Sequence, residues 1–286
     1  MRAVGIILAG GNNNRMKELT HKRAVAAMPI AGSYRSIDFA LSNMTNSHIQ
    51  KVAVLTQYNA RSLNEHLNSS KWWNFGRKQG GLYVFTPTIT NDNGYWYRGT
   101  ADAIYQNMDF LKKSHEPYVV IASGDAVYKM DYSKVLQYHI DKKADVTVVC
   151  KEMDPSDDVS RFGTIRMDDD MRITEFEEKP MVTKSNMIST GIYVIRRRLL
   201  IDLIEHAAEE ERFDFVNDVL IRYKNLKKIY GYKIDHYWSN IATVDAYYKT
   251  NMDFLKPEVR NYFFKQDPEI YSKVSDLPPA KYNPGA

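Results

Sequence analysis

Residues 5–16 read GIILAGGNNNRM, an apolar run that meets a Gly-Gly turn, three asparagines and an arginine. A short, continuously apolar run predicts a buried strand. Glycines directly after a strand let backbone N–H groups approach a phosphate closely, and Arg15 can clamp its oxygens. The stretch is neither a P-loop nor a GxGxxG fingerprint. By itself it therefore fits a tight turn without a ligand as well as it fits a nucleotide site.

Strand and helix patterns alternate through the first half of the chain. Buried strands are predicted over 4–8, 52–57, 119–122 and 146–150, and helices over 37–46, 62–67, 101–112 and 132–142. Further strands are predicted over 164–167, 173–176 and 192–195, and helices over 199–210, 215–223 and 244–255, the last stopped by Pro257. This alternation predicts an α/β fold with a doubly wound, mostly parallel sheet. Ligands bind such sheets at the carboxyl ends of the strands, where Gly10-Gly11 and Gly124-Asp125 both fall.

Composition excludes several classes of function. The 286 residues include 39 basic and 35 acidic side chains, for a formal net charge of +4. So mild an excess does not indicate binding to nucleic acid or to a membrane surface, and no run approaches the roughly 20 apolar residues of a membrane span. The single cysteine, Cys150, cannot form an internal disulfide. We therefore expect a cytoplasmic protein.

Two acidic segments are further candidates for chemistry. Asp125 directly follows a predicted strand, where a carboxylate could hold Mg²⁺ against substrate phosphates or could cap the next turn. Residues 177–180, Glu-Glu-Lys-Pro, place carboxylates and an ammonium at another strand end. They could bind sugar hydroxyls and a phosphate, or form a solvated charge cluster.

A series of short motifs keeps a fixed order from about residue 3 to residue 260. It comprises Ala9-Gly10-Gly11 with Arg15, Lys22-Arg23-Ala24, YRSIDFALSN at 34–43, TQY at 56–58, WYRGTADA at 96–103, Gly124-Asp125, YKMDY at 128–132, RFG at 161–163, EKP at 178–180, STGIY at 189–193, and Tyr247-Tyr248 with NMD at 251–253. Together these motifs resemble glucose-1-phosphate adenylyltransferase (ADP-glucose pyrophosphorylase). The ordered series is specific in a way that no single motif is.

The resemblance implies a sugar nucleotidyltransferase fold, Rossmann-like in type, and a role in glycogen biosynthesis. In that family glucose 1-phosphate attacks the α-phosphorus of ATP, which forms ADP-glucose and releases pyrophosphate. Position by position, the resemblance implies nucleotide binding by Gly10, Gly11, Arg15 and Gln57, and sugar-phosphate binding by Tyr97, Glu178, Lys179, Ser189, Asp214 and Trp238. It implies catalytic roles for Arg15, Asp125 and Lys179, with Asp125 as one of two aspartates that hold Mg²⁺.

Three positions depart from the family pattern. Asn13 stands where the family has glycine, Val25 where it has a phosphate- or activator-binding lysine, and Asn240 where it has the second metal-binding aspartate. Each change alone fits neutral drift, but the three together resemble the regulatory D-type subunit that some bacteria pair with a catalytic subunit. That resemblance implies a hetero-oligomer. Two alternatives remain: a self-sufficient adenylyltransferase that tolerates Asn240, and a sugar-phosphate-sensing module without catalysis.

The domain organisation also follows from the resemblance. Residues 1–260 are predicted to form the nucleotidyltransferase-like domain. Residues 261–286 are rich in turn-forming residues near their end and are predicted to be a linker. The resemblance implies that this linker leads to a C-terminal left-handed β-helix domain, and the hexapeptide repeats expected of that domain do not occur within residues 1–286.

Overall fold

The computed structural model describes residues 2–11, 14–76, 80–89 and 94–274. In chain order its strands are β1 (Ala3–Leu8), β2 (Pro29–Ile30), β3 (Tyr34–Arg35), β4 (Lys51–Leu55), β5 (Gly81–Phe85), β6 (Tyr118–Ser123), β7 (Ala126–Tyr128), β8 (Val146–Glu152), β9 (Gly163–Met167), β10 (Ile173–Glu178), β11 (Met187–Arg196), β12 (Ile229–Ile234) and β13 (Trp238–Asn240). Its α-helices are α1 (Ser36–Asn46), α2 (Arg61–Leu67), α3 (Thr100–Gln106), α4 (Met108–Lys112), α5 (Tyr132–Asp141), α6 (Arg197–Glu209), α7 (Val244–Asp253) and α8 (Pro257–Phe264). Single turns of 3₁₀ helix and one π-helix, Phe215–Ile221, connect some of them.

Strand β1 lies in the middle of the sheet, and its pairing determines which edge of the sheet the neighbouring strands share at their carboxyl ends. It pairs in parallel with β4 on one side and with β6 on the other, and β5 extends the parallel part beyond β4. At the end of β1, Leu8 is in register with both Leu55 and Ser123. The segments that follow these three strands therefore leave the sheet at the same edge, as expected for a parallel α/β sheet.

The sequence of β1 is apolar throughout because both faces of the sheet are covered. Ile7 belongs to a buried cluster with Ile37 and Leu41 of α1, whereas Ile6 belongs to the cluster with Ile104 of α3 and Leu200 of α6. Adjacent residues of a strand point to opposite faces, so a strand covered on both faces has no polar face. The predicted α/β fold class is confirmed.

The second half of the chain adds antiparallel strands to this parallel frame. The long strand β11 runs antiparallel to β6, β8 and β9, while β12 returns parallel to β8. The pairing of β11 with β8 shifts register between Ser189 and Tyr193, and Gly191 between them has a φ of +75°. Glycine adopts that left-handed backbone without the steric penalty of a side chain. The sheet is thus mixed, with the predicted parallel strands at its centre.

Two helix predictions were wrong in detail. The predicted helix over 101–112 is interrupted at Asn107, which has a φ of −112° and ψ of 24°, and its side-chain amide donates to the Ala103 carbonyl. The helix that begins at Val244 ends at Asp253 rather than Leu255, and Pro257 begins α8 instead of ending the helical part. Proline suits the first turn of a helix because the N–H that it lacks has no partner there.

The described end of the chain packs against the N-terminal half. Helix α8 spans the predicted domain boundary at residue 260. Beyond it, the Tyr271 N–H donates to Ser42 Oγ at 2.8 Å, and Trp73 Nε1 donates to the Tyr271 carbonyl at 3.2 Å. Residues up to 274 therefore contact the N-terminal half, and the predicted domain boundary at residue 260 stays a prediction. Across the ranges that the structure describes, no helix has both the length and the apolar character that a membrane crossing requires.

Candidate active site

A cavity of about 700 Å³ opens at the carboxyl ends of β1, β4 and β6. Cavities of this size bury ligands as large as a nucleotide. The lining includes these predicted site residues: Gly10, Gly11, Arg15, Gln57, Tyr97, Asp125, Lys179 and Asn240. The structure thus gathers into one cavity residues that are separated by up to 230 positions in the sequence.

Three other residues that are predicted to bind the sugar phosphate do not line the cavity but contact or adjoin residues that do. Ser189 is buried and its hydroxyl lies 3.2 Å from that of Tyr193, which does line the cavity. Asp214 caps the π-helix, since it accepts from the Asn217 N–H at 2.7 Å. Glu178 lies next to Lys179 and pairs with it, with Lys179 Nζ 2.9 Å from Glu178 Oε1. Their contacts with a sugar phosphate stay a prediction.

Trp238, also predicted to bind the sugar phosphate, does not line the main cavity. Its ring packs edge-on against Phe162, with ring centroids 5.6 Å apart, and it lines a neighbouring cleft rather than the main cavity. The indole is 6% exposed, and its Nε1 has no hydrogen-bond partner among the residues that the structure describes. The side chain therefore supports Phe162, and its predicted contact with sugar stays a prediction.

The Gly-Gly loop leaves space for a ligand. The Ala9 N–H donates to the Leu55 carbonyl at 2.8 Å, which fixes the loop to β4. A Cβ added at Gly10 would make ordinary contacts at 3.5 Å, and one added at Gly11 would meet nothing within 4 Å. Neighbouring protein atoms therefore do not require glycine at residue 11. Asn12 and Asn13 lie outside the described residues, so the predicted crowding by Asn13 stays a prediction.

Arg15 and Val25 come from the two 3₁₀ turns beside the loop. Met16, next to Arg15, is fully buried in a cluster that also contains Val25 and Ile241, so the exposed Arg15 is anchored at the cavity rim. Val25 is 7% exposed and lines the cavity as well. An apolar side chain thus covers the wall where the resemblance places a lysine.

Gln57 is held by the backbone of Tyr97. Its Nε2 donates to the Tyr97 carbonyl at 3.2 Å, and its Oε1 accepts from the Tyr97 N–H at 2.9 Å. The Tyr97 hydroxyl accepts from Asn107 Nδ2 at 2.9 Å, and burial raises the pKa of this phenol above its ordinary value. The Gln57 amide therefore positions Tyr97, while its predicted contact with the base stays a prediction.

Asp125 and Asn240 stand side by side at the end of β6. The short strands β7 and β13 pair Ala126 with Asn240, and the Ile241 N–H donates to the Asp125 carbonyl at 3.0 Å. The pairing of these two strands therefore brings the backbone of residues 240 and 241 next to Asp125, and the side chains of Asp125 and Asn240 line the same cavity.

Comparison with known proteins now identifies the family. The nucleotidyl transferase family model matches residues 4–257. The chain is 40% identical over 286 residues to the glucose-1-phosphate adenylyltransferase of Clostridium novyi, across 99% of this chain and 75% of that protein. It is 41% identical over 281 residues to the Bacillus anthracis enzyme of the same name, and 39% identical over 279 residues to that of Thermosipho melanesiensis. These alignments cover 97% of this chain in both cases, with 74% and 68% of the two relatives. The chain belongs to the glucose-1-phosphate adenylyltransferase family. The resemblance of the ordered motifs is confirmed.

Compared with the two aspartates that the family resemblance implies, Asp125 and Asn240 are a poor fit to Mg²⁺. Asp125 already accepts from Ser123 Oγ at 2.5 Å, and Asn240 Oδ1 accepts from the Ala242 N–H at 3.0 Å. Only one of the two side chains carries a negative charge. In the described ranges, no three Asp, Glu, His or Cys residues are grouped so that they could hold a metal ion. Magnesium prefers carboxylate and phosphate oxygens, of which this arrangement offers a single group.

The structure adds Arg161 to the site of this glucose-1-phosphate adenylyltransferase family member. The residue precedes β9, is half-buried and lines the cavity close to Asp125. Its Nη1 donates to Thr243 Oγ1 at 3.3 Å, and its guanidinium lies over the Phe162 ring at 4.7 Å. Burial lowers the pKa of Arg161, as does repulsion from Arg15, while Asp158 opposes the shift. The RFG motif contains this residue, but sequence reasoning assigned it no role.

Proposed function

We propose that this chain is a regulatory subunit of a cytoplasmic glucose-1-phosphate adenylyltransferase that serves glycogen synthesis. It binds ATP or glucose 1-phosphate, has weak or no catalysis of its own, and changes the activity of a catalytic subunit in a hetero-oligomer. The single observation that supports this is the amide of Asn240, next to Asp125 in the strand pairing, in a cavity that also contains Arg15 and Lys179.

The charge of this pair matters because adenylyl transfer depends on neutralising phosphate charge. In the family reaction, negative charge shifts from the attacking sugar phosphate to the departing pyrophosphate. Positive groups held in position stabilise this charge and supply much of the rate acceleration. Removal of one such contact typically slows a reaction by about 10²–10³-fold. We therefore expect Asn240 to reduce catalysis far more than it reduces binding.

The residues that remain support binding. In our proposal Arg15 holds the terminal phosphates of the nucleotide, and Lys179 holds the phosphate of the sugar. Lys179 lies at the end of β10, where its N–H donates to the Phe162 carbonyl at 3.2 Å. Tyr97 forms part of the wall between them and is fixed through Gln57 and Asn107. Such a site binds both ligands without a strong means of joining them.

Two assays of pyrophosphate release test this proposal. The isolated chain, given ATP, Mg²⁺ and glucose 1-phosphate, should turn over more slowly than about 1 s⁻¹, the lower end of ordinary enzyme rates. Co-expressed with a catalytic glucose-1-phosphate adenylyltransferase of the same organism, it should co-purify and change the rate or the effector response of that subunit. Absence of a complex, together with an unchanged rate, would overturn the regulatory proposal.

A self-sufficient enzyme is the second candidate. It is favoured by the convergence of Arg15, Asp125 and Lys179, the residues predicted to be catalytic, on one cavity. A single carboxylate together with substrate phosphates can hold Mg²⁺ in some phosphoryl-transfer sites. Turnover of the isolated chain above about 1 s⁻¹ would support this candidate over the regulatory one.

A further inference from the structure

We propose that this cavity binds a phosphoanion without a divalent cation, and that Arg161 supplies the positive charge that a metal ion would otherwise bring. The ligand class is a nucleoside triphosphate or inorganic pyrophosphate in its metal-free form. The inference rests on the proposed function, because a regulatory subunit needs to bind its ligand but not to react it.

The first support is the absence of a direct ion pair at Arg161 among the residues that the structure describes. In the part of the chain that the structure describes, no carboxylate oxygen lies within 4.0 Å of its guanidinium, and its polar contact is the neutral hydroxyl of Thr243. Asp158, Asp125 and Asp157 act on Arg161 through space and partly offset its burial, but none of them pairs with it directly. A half-buried cation without a direct ion pair is unfavourable, because burial removes part of its hydration. An anionic ligand in the cavity would relieve that cost.

The second support is the way the protein holds Arg161. One side of the guanidinium lies on the Phe162 ring, and Thr243, its hydrogen-bond partner, is the N-cap of α7. The Phe162 carbonyl accepts from the Lys179 N–H, which ties the segment of Arg161 to the residue that we propose for the sugar phosphate. Both cations therefore belong to one connected stretch of wall.

The third support is the charge balance of the lining. Three charged residues on the wall are cationic, Arg15, Arg161 and Lys179, and one is anionic, Asp125. Glu178 pairs with Lys179, and Asp158 acts on Arg161 and Arg15, but neither carboxylate is among the lining residues, so cations outnumber anions on the wall itself. A metal-free triphosphate carries two more negative charges than its Mg²⁺ complex, so it gains more from this wall.

The fourth support is the pair at the end of β6. An amide at residue 240 removes a negative charge that would attract Mg²⁺ and repel a phosphate. The Asn240 oxygen also already accepts from the Ala242 N–H at 3.0 Å. The missing charge weakens metal binding and removes repulsion of the free anion, and the hydrogen bond to Asn240 weakens metal binding further.

Isothermal titration calorimetry with inorganic pyrophosphate, and in parallel with ATP, tests the inference. In excess EDTA the wild-type chain should bind at least as tightly as it does with Mg²⁺ present. Arg161→Gln should weaken binding in EDTA by roughly tenfold or more, as expected for loss of a charge-assisted contact. The matched control is Arg166→Gln. Arg166 lies on β9, is exposed and pairs with Glu175 outside the cavity, so its replacement should leave the affinity unchanged.

Asn240→Asp provides a second variant with the opposite expectation. The added carboxylate should weaken binding in EDTA by roughly tenfold, and Mg²⁺ should restore it. Circular dichroism and thermal unfolding check that each variant is folded.

Wild-type binding that vanishes in EDTA and returns with Mg²⁺ would overturn the inference, as would a complete absence of binding. The regulatory proposal is judged separately, by the effect on a catalytic subunit. A chain that binds the Mg²⁺ complex alone yet activates that subunit overturns the inference and keeps the regulatory role. A chain that binds without metal but leaves the subunit unchanged does the reverse.

Discussion

At the scale of single residues, Asn240 decides between binding and catalysis. The amide and a carboxylate have nearly the same shape, and the strand pairing that places residue 240 beside Asp125 uses backbone atoms alone. Replacement by aspartate should therefore leave the local structure intact while it adds a negative charge. The consequence should appear in the chemistry and not in the fold.

We expect Asn240→Asp to raise the rate of pyrophosphate release from ATP and glucose 1-phosphate, with Mg²⁺ present, by about tenfold or more. The second carboxylate completes a pair of charged oxygen ligands for the metal. Asn240→Ala serves as the control, because it removes the amide without adding charge and should give no gain. A folded Asn240→Asp variant as slow as the parent would contradict the proposed cause of weak catalysis.

A second prediction at this scale concerns Gln57. Gln57→Leu keeps the side-chain volume but removes both hydrogen bonds to the Tyr97 backbone, so the wall around Tyr97 should loosen. We expect weaker binding of ATP by about tenfold in calorimetry. Gln137→Leu, at an exposed position on α5, should bind ATP as the parent does. Equal affinity in the two variants would show that Gln57 does not position the site.

At the scale of elements, hydrophobic periodicity predicted most of the longer strands and helices, but it missed β5, β12 and α8 and did not show where a helix is interrupted. The apolar stripe from Ala101 to Leu111 is continuous, yet the helix divides at Asn107, whose side chain bonds to the Ala103 carbonyl and to Tyr97. A side chain that competes for backbone partners interrupts a helix without changing its apolar pattern. The three-residue strands β7 and β13 carry no recognisable pattern at all, although they join Asn240 to Asp125.

The loop before α3 gives a prediction about packing. Gly99 has extended backbone, but a Cβ there would lie 2.2 Å from the Phe213 carbonyl oxygen. That oxygen also accepts from the Ala101 N–H at 2.8 Å, so it is not free to move away. Gly99→Ala should lower the free energy of unfolding by about 1–3 kcal/mol in urea denaturation. Gly94→Ala meets no atom within 4 Å and should change it little. Equal losses would contradict the predicted clash.

Helix α5 gives a prediction about pH. Burial lowers the pKa of His139 to about 4, assisted by Arg196 and opposed by Asp145, and the ring packs against Tyr118. The unfolded chain, with an ordinary pKa near 6.5, binds a proton first as the pH falls. The stability present above pH 6.5 should therefore decline between about pH 6.5 and 4, by about 3 kcal/mol in total from this group.

Urea denaturation across that pH range checks the contribution of His139. The variant His139→Gln does not titrate there, so its stability should decline less than that of the parent over the same interval. His206→Gln, which replaces an exposed histidine of α6, controls for loss of a histidine as such. Parallel pH profiles for the parent and His139→Gln would show that this buried histidine does not cause the acid sensitivity.

At the scale of the whole molecule, the cavity is assembled from two halves that differ in how far sequence predicts them. The parallel half supplies Gly10 and Asp125 at strand ends, where the rule for α/β sheets places a ligand. The mixed half supplies Arg161 and Lys179 beside the pairing of the consecutive strands β9 and β10, and the pairing of β13 with the distant β7 supplies Asn240. No local pattern encodes the pairing of β13 with β7, so Asn240 was recognised through family resemblance alone. The charged segment 177–180 marked Lys179 as a candidate before the resemblance gave it a role, and Arg161 was missed.

The stability contributed by residues 267–274 shows whether the folded unit ends near residue 260 or beyond it. Ser272 Oγ donates to the buried Asp38 carboxylate at 2.6 Å, and the Tyr271 backbone bonds to Ser42 and Trp73. A chain that ends at residue 266 should therefore lose about 3 kcal/mol of unfolding free energy relative to a chain that ends at 274, because these partners are left unpaired. Urea denaturation of the two truncated chains measures this difference directly. Equal stabilities would mean that the segment only rests on α1, and the domain would then end with α8.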